Sequence, residues 1–157
     1  MTAKLELVCP AGTLPALKAA VDAGADAVYA GFRDRTNARN FPGLNFSRAE
    51  LAQGIAYAHV RGRKLFLAVN TYPPAGEFAP WQAAVDDAAQ LGVDAVILAD
   101  IGLLDYCTHA HPALRRHLSV QASAANPAAI KFYHQEFGVE RAVLPRRRYG
   151  HAEQFID

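Results

Sequence analysis

A glycine that ends one helical pattern and precedes an apolar run recurs four times in this chain, and this repeat restricts the possible folds more than any other feature. The four glycines are Gly24, Gly62, Gly92 and Gly138. Glycine just after a helix adopts the left-handed conformation at little steric cost, so it often terminates helices. Each glycine is followed by a polar or charged residue and then by apolar residues. The repeat therefore predicts a helix followed by a strand, several times over.

Helical periodicity precedes each of these glycines. Apolar residues recur at three- and four-residue spacing in four segments: Leu14, Leu17 and Val21; Leu51, Ile55 and Ala58; Trp81, Val85 and Ala88; and Ile130, Tyr133 and Phe137. Ser47 and Glu50 have capping-box spacing, and Asn126 precedes a proline, so both positions are typical of helix starts. A further helix is predicted over residues 101–110, and residues 151–157 are similar to the opening of another.

Six strands are predicted, at residues 5–9, 27–31, 64–71, 95–100, 118–123 and 141–145. The third and fourth are apolar on both faces, which is typical of parallel strands covered on both sides. The alternation of strands and helices predicts an α/β fold, either an open doubly wound sheet or a closed barrel. A closed barrel usually has eight strands in about 250 residues. We expect residues 1–157 to form one α/β domain of repeated β/α units, an incomplete parallel TIM-type (β/α) barrel that is the front part of a longer chain or an unusually short relative.

The composition excludes several classes of protein. Apolar residues make up 52% and charged residues 20%, which is typical of a folded chain. The net charge of +1 gives no strong signal for nucleic acid or an anionic membrane. We find no uninterrupted membrane span and no signal peptide, and we expect Cys9 and Cys107 to be reduced thiols. A cytoplasmic location is therefore predicted.

Polar residues follow several of the predicted strands. In both architectures ligands bind at the carboxyl ends of the strands, so these side chains are expected to share one rim. The catalytic candidates are Asp100, Asn70 and Gln121, and the substrate-binding candidates at the strand ends are Tyr29, Ser123 and Arg146. Asp100 can act as a general base or hold a cation. The alternative is that Asp100 caps the next helix, and that Ser123 or Asn126 caps the one after it. For the set as a whole we favour a pocket.

The segment at residues 32–46 is much longer than the two to six residues that usually join a strand to a helix. It contains three arginines, three asparagines and three phenylalanines. Guanidinium groups bind carboxylate or phosphate, and aromatic rings stack on planar ligands. We favour a lid over a small aromatic or anionic substrate, to which Asn37 and Arg39 contribute. The alternative is a surface loop with its own phenylalanine cluster.

Several segments carry a resemblance to a known family. Residues 7–12 (LVCPAG) and 14–29 (LPALKAAVDAGADAVY) resemble peptidase family U32, the collagenase-like peptidases. Residues 37–41, 70–71, 92–100 and 138–144 agree with it, so the resemblance covers nearly the whole chain. Within the family, residues 31–39, 119–123 and 144–146 are most similar to the ubiquinone-biosynthesis branch.

The resemblance implies more than the periodicity does. That branch works as a heterodimer with a UbiV-like paralogue in oxygen-independent hydroxylation of the ubiquinone-precursor ring, and each member carries a [4Fe-4S] cluster. Other members hydroxylate bases in transfer and ribosomal RNA, and others were named as peptidases. In the family the four cluster cysteines follow the region matched here, and Cys9 and Cys107 do not match them. Since four thiolates are normally needed, we expect no cluster and no metal ligands on this chain alone.

Three functions remain open. The first, which we favour, is a component of oxygen-independent ubiquinone biosynthesis that supports ring hydroxylation with a UbiV-like partner. The second is an RNA-base hydroxylation protein or a peptidase-like member of the family, although no peptidase catalytic set is evident. The third is a non-catalytic docking module.

Overall fold

Strands and helices alternate throughout the structure, a computed structural model that describes residues 5–145. Within this range the elements are β1 (Val8–Pro10), α1 (Leu14–Asp22), β2 (Ala27–Gly31), α2 (Arg48–Val60), β3 (Lys64–Val69), α3 (Ala79–Leu91), β4 (Ala95–Leu98), α4 (Ile101–Ala110), β5 (Arg116–Leu118), α5 (Pro127–Phe137) and β6 (Arg141–Ala142). The predicted helix at residues 151–157 lies outside the described residues.

The six strands form one parallel sheet in the order β1-β2-β3-β4-β5-β6. Every strand therefore pairs with the next strand along the chain, with a helix or a longer connection between them. This order is the one expected of consecutive β/α units of a barrel, because a doubly wound sheet reverses its strand order at a switch point. The predicted incomplete barrel is confirmed.

The sheet separates two apolar layers. On the outer face, strand residues such as Val28, Leu67 and Leu98 pack with helix residues such as Leu17 and Trp81 in the main core. The inner face carries a smaller cluster, made of Ala27, Phe66, Ala68, Ala95 and Ile97, with Val8 and Tyr29 against it. Burial on both faces agrees with the lack of polar alternation in the third and fourth strands.

Helix starts and ends follow the sequence signals. Ser47 Oγ accepts a hydrogen bond from Glu50 N, and the Glu50 carboxylate accepts one from Ser47 N, which completes the capping box. Asn126 Oδ1 accepts from Ala129 N at 2.9 Å and caps α5. The four glycines of the repeat all have positive φ, from 61° at Gly138 to 99°.

The prediction for the fifth strand was wrong. Instead of residues 118–123, the strand is β5 (Arg116–Leu118), and residues 120–122 form a 3-10 turn. Ser119 Oγ accepts a hydrogen bond from Gln121 N at 3.2 Å, which starts the turn. The start of the strand was misplaced because its first residue, Arg116, is charged and was not expected in the outer layer. Arg116 is buried there because its guanidinium donates to the Leu114 and Phe137 carbonyls, each at 2.7 Å. The first strand also starts later than predicted, and the third, fourth and sixth end earlier.

No helix within residues 5–145 is both long and apolar enough to cross a membrane.

Candidate functional site

The long loop at residues 32–46 closes on itself at the end of β2. Phe32 and Phe46 are fully buried and form a parallel bridge. Arg33 N donates to the Phe46 carbonyl at 2.9 Å, and Phe46 N donates to the Gly31 carbonyl at 3.1 Å. Two phenylalanines of the predicted cluster therefore anchor the loop in the core, whereas Phe41 is 57% exposed at its far side.

The loop is also fastened to the carboxyl end of β3. Asn70 N donates to the Thr36 carbonyl at 3.0 Å. In return, Asn70 Oδ1 accepts from Ala38 N at 2.9 Å. Asn70 thus holds the loop through both its backbone and its side chain. This pair of contacts gives it a structural role beside the catalytic role predicted from its position.

Two buried asparagines fix the backbone of Arg39. Asn37 Oδ1 accepts from Arg39 N at 3.1 Å, and Asn45 Nδ2 donates to the Arg39 carbonyl at 2.7 Å. The Arg39 side chain is exposed, and its Nη1 donates to the Tyr29 hydroxyl at 3.3 Å. Tyr29 packs on the inner face of the sheet. The structure therefore brings together four of the predicted site residues, which we call the β2–β3 site: Tyr29, Asn37, Arg39 and Asn70.

Arg39 differs from the other arginines of the loop. Arg33 pairs with Glu50 at 2.9 Å, and Arg35 pairs with Glu77. Within residues 5–145, Arg39 has no carboxylate partner. A guanidinium without a carboxylate retains its donors for phosphate or carboxylate groups of a ligand. Arg39 is thus the arginine of the loop whose guanidinium is left without a carboxylate, and its role in substrate binding stays a prediction.

Three of the remaining candidates, Asp100, Gln121 and Ser123, follow β4 and β5. Asp100 Oδ1 accepts from Leu103 N at 2.9 Å and caps α4. Capping of this helix was the alternative to a catalytic role that the sequence left open for Asp100. Gln121 and Ser123 are exposed, and Ser123 has a φ of 55° after the 3-10 turn. Ser123 does not cap α5, since Asn126 does. Arg146 lies outside the described residues. The roles predicted for these side chains stay predictions.

Tyr72 links the two parts of the rim, and the sequence reasoning missed it. It follows the strand-end pair Asn70 and Thr71, and its hydroxyl donates to the Gln121 carbonyl at 2.7 Å. Burial, and then the neighbouring Tyr133 and Asp100, raise the pKa of Tyr72. The available signal was an aromatic residue directly after a strand-end polar pair.

The opposite rim, at the amino ends of the strands, contains a cavity of about 740 Å³ lined by Glu6, Asp26, Arg63, Lys64 and Arg141 among others. Its charges are matched within the chain: Lys64 pairs with Glu6 at 2.6 Å, and Arg63 pairs with Asp26 at 3.1 Å. In barrels of this kind the chemistry takes place at the carboxyl ends of the strands, and the amino ends serve stability. The charge matching here agrees with the latter role.

The two cysteines do not fit an iron–sulfur cluster. Cys9 lies on β1 and packs against the outer core, whereas Cys107 is fully buried on α4. Burial raises the pKa of the Cys107 thiol, which disfavours the thiolate that a cluster needs. In the part of the chain that the structure describes, no three His, Cys, Asp or Glu side chains are grouped as a metal site would require.

A parallel sheet in consecutive strand order, with a helix after each of its first five strands, defines a (β/α) barrel-type protein. The family model for peptidase family U32 matches residues 12–148. The chain belongs to this family.

Relatives in the family have diverse names. An uncharacterized protease of Methanocaldococcus jannaschii is 38% identical over 93% of this chain and 34% of its own length. The tRNA hydroxylation protein P of Escherichia coli is 38% identical over 91% of this chain and 31% of its own length. A 23S rRNA 5-hydroxycytidine C2501 synthase of Escherichia coli is 34% identical over 91% of this chain and 21% of its own length. This chain therefore spans about a third or less of these relatives.

Solved structures agree on the fold. The structure of a U32 peptidase superposes with a TM-score of 0.74 and 16% identity, covering 92% of this chain and 60% of that one. A phosphodiesterase from Oleispira antarctica superposes with a TM-score of 0.60 and 16% identity, covering 88% of this chain and 74% of that one. At this level of identity the likeness concerns the fold alone.

Proposed function

We propose that this chain is the substrate-binding part of a protein that hydroxylates RNA bases. The observation that carries the proposal is that proteins named for tRNA hydroxylation and for 23S rRNA 5-hydroxycytidine synthesis both match 91% of this chain. The proposal corresponds to the second of the three functions left open by the sequence and replaces the ubiquinone function as our first choice. The rest of the hydroxylation machinery would belong to the part of the relatives that this chain does not span.

The β2–β3 site has the groups that such a substrate requires. RNA recognition combines phosphate contacts with hydrogen bonds and stacking on an unstacked base. Arg39 offers its guanidinium to a phosphate, while the Tyr29 hydroxyl lies 3.3 Å from Arg39 Nη1 and can meet a base edge. Because Asn37 and Asn45 hydrogen-bond to the Arg39 backbone, the position from which the Arg39 side chain extends is restricted.

The low net charge of +1 affects how tightly RNA would bind. From this charge we expected no strong nucleic-acid signal, and the names of the RNA-modifying relatives point the other way. The two observations are compatible if only a few phosphates are contacted, because affinity from counterion release scales with the number of neutralised phosphates. We therefore expect local recognition of an unpaired base rather than binding along a duplex.

A second candidate function is hydroxylation of the ubiquinone-precursor ring together with a UbiV-like partner. What favours it is the resemblance, described in the sequence analysis, of residues 31–39, 119–123 and 144–146 to the ubiquinone-biosynthesis branch of the family. Either function would draw on a [4Fe-4S] cluster from outside this chain, because Cys9 and Cys107 do not fit one.

Deleting the gene and analysing the cell's RNA and quinones tests the proposal. We expect a hydroxylated nucleoside to disappear from digests of purified tRNA or rRNA, measured by mass spectrometry, while ubiquinone is unchanged after growth without oxygen. Reintroducing the gene with Arg39→Ala should restore the nucleoside only weakly. Arg61→Ala is the matched control, since Arg61 is an exposed arginine just after α2, at the opposite end of the sheet. Loss of ubiquinone with intact RNA hydroxylation would contradict the proposal and favour the second candidate.

A further inference from the structure

Tyr72 stands on a rigid base at the carboxyl rim. The Thr71 hydroxyl donates to the Arg35 carbonyl at 2.6 Å and accepts from Trp81 Nε1 at 3.0 Å. Trp81 is buried in the main core. The Thr71 side chain therefore connects the residue directly before Tyr72 both to the long loop and to α3. These contacts restrict the position of the Tyr72 backbone.

The other end of the Tyr72 side chain is fixed as well. Its hydroxyl donates to the Gln121 carbonyl at 2.7 Å, although the two residues lie on connections after different strands. Yet the residue is 53% exposed. If Tyr72 served only to connect the two loops, burial of its apolar ring would add to the stability of the fold. This ring is instead held at both ends and leaves half of its surface to solvent.

We propose that Tyr72 is a stacking platform for the planar ring of the substrate. The identity of that ring as an RNA base rests on the proposed function, whereas the stacking role rests on the geometry of Tyr72. A ring that is already ordered loses little conformational entropy when a planar ligand stacks on it, which favours binding. Tyr72 follows Asn70 by two residues in the connection after β3, so the platform and the β2–β3 site belong to the same carboxyl rim.

Binding of two labelled RNAs to the 157-residue chain tests the platform. One is a pyrimidine-rich single strand, and the other has the same backbone with abasic sites; both are followed by fluorescence anisotropy. Tyr72→Ala should weaken binding of the intact strand about tenfold, which is the range found for base–aromatic stacking, and leave the abasic strand unaffected. Tyr72→Phe keeps the ring and loses only the tether, so it should retain most of the affinity.

Phe132→Ala is the matched control, because Phe132 is a 46% exposed aromatic residue whose ring packs against Tyr133 and Phe137 of its own helix α5. We expect it to bind both strands like the unaltered chain. Circular dichroism and the fluorescence of the single tryptophan, Trp81, verify that each variant is folded. The platform is refuted if Tyr72→Ala binds like the unaltered chain, if it weakens both strands equally, or if Tyr72→Phe is as weak as Tyr72→Ala.

Binding of a planar ring that has no phosphate backbone distinguishes failure of the stacking role from failure of the proposed RNA function. If neither RNA binds but 4-hydroxybenzoate does, and Tyr72→Ala abolishes that binding, the platform stands and the RNA function falls. If the chain binds RNA and Tyr72→Ala has no effect, the platform falls and the RNA function stands. If the chain binds neither the RNAs nor 4-hydroxybenzoate, the proposed stacking role of Tyr72 is refuted.

Discussion

The carboxylate of Glu6, just before β1, accepts a hydrogen bond from the guanidinium of Arg141 in β6. The two residues are 135 positions apart, one just before the first strand of the described sheet and the other in its last strand. Lys64 of β3 donates to the other Glu6 oxygen at 2.6 Å. One carboxylate therefore joins β3 and β6 to the segment before β1 at the amino rim.

Replacing Glu6 with glutamine should destabilise the fold by about 1 kcal/mol at neutral pH, since the ion pairs are partly exposed. Hydrogen bonds from Lys64 and Arg141 lower the pKa of Glu6 to about 2. The stabilisation is thus complete above the ordinary pKa of about 4.5 and is lost as the pH falls from there towards 2. Urea unfolding across this range should show the two proteins converging at low pH. Glu136→Gln, at an exposed position of α5, removes the same charge and should have little effect.

A second pH dependence comes from His117 in β5. It is buried against Phe66 with ring centroids 4.7 Å apart, and its Nε2 has no hydrogen-bond partner within residues 5–145. Burial, and then the positive charges of Arg141 and Arg115, lower the pKa of His117 to about 4. Its ordinary pKa is about 6.5, so the unfolded chain takes up a proton first as the pH falls. Stability should therefore decline between pH 6.5 and 4, by up to about 3 kcal/mol.

His117→Leu tests this origin of the pH dependence, because it removes the buried imidazole without leaving a polar atom unpaired. The variant should be close to the unaltered chain at pH 7.5 and relatively more stable at pH 5, as measured by thermal unfolding. His109→Leu removes an exposed histidine and should retain the decline. An identical decline in His117→Leu would assign the effect to other groups.

Most of the fold could be predicted from the sequence because its signals are local. Glycines that end helices, the Ser47–Glu50 capping box and doubly apolar strands each depend on a few neighbouring residues, and together they imply consecutive parallel β/α units. The fifth strand could not be placed, because burial of Arg116 depends on carbonyls of α5 and of the segment before β5, which only the folded chain brings close.

The site was predictable only in part. Strand ends identify residues on the rim, so Tyr29 and Asn70 were found by position. What the side chains contact there is not local: Asn70 holds the long loop, Asp100 caps α4, and Tyr72 reaches a carbonyl beyond β5. Polarity drew attention to Gln121, but its backbone carbonyl makes the contact with Tyr72.

The dual contact of Asn70 predicts different effects for two substitutions. Asn70→Asp keeps an oxygen that accepts from Ala38 N, so the loop should stay in place. Asn70→Ala removes the acceptor and should release the loop at a cost of about 1 kcal/mol. Hydrogen exchange of the Ala38 amide measures this directly, with fast exchange expected only in the alanine variant. Equal protection in both variants would show that the loop is held by its other contacts.

Gly31 sets how closely the loop can approach β2. A Cβ atom at this position would lie 2.2 Å from Asn37 Nδ2, which is far inside van der Waals contact. Because Asn37 is buried and holds the Arg39 amide, it cannot retreat without moving the site. Gly31→Ala should therefore destabilise the chain by about 1–3 kcal/mol through overpacking and weaken ligand binding along with the hydrogen-exchange protection of Arg39.

Gly12→Ala is the matched control for Gly31→Ala. Its carbonyl accepts from Asn45 N in the same loop, but a Cβ at Gly12 would meet Leu44 at 3.4 Å, an ordinary contact. We expect Gly12→Ala to retain both stability and protection at Arg39. If the two variants behave alike, the close approach between Gly31 and Asn37 is not what positions the guanidinium. If only Gly31→Ala loses protection, the missing side chain at Gly31 is a condition for placing Arg39 beside Tyr29.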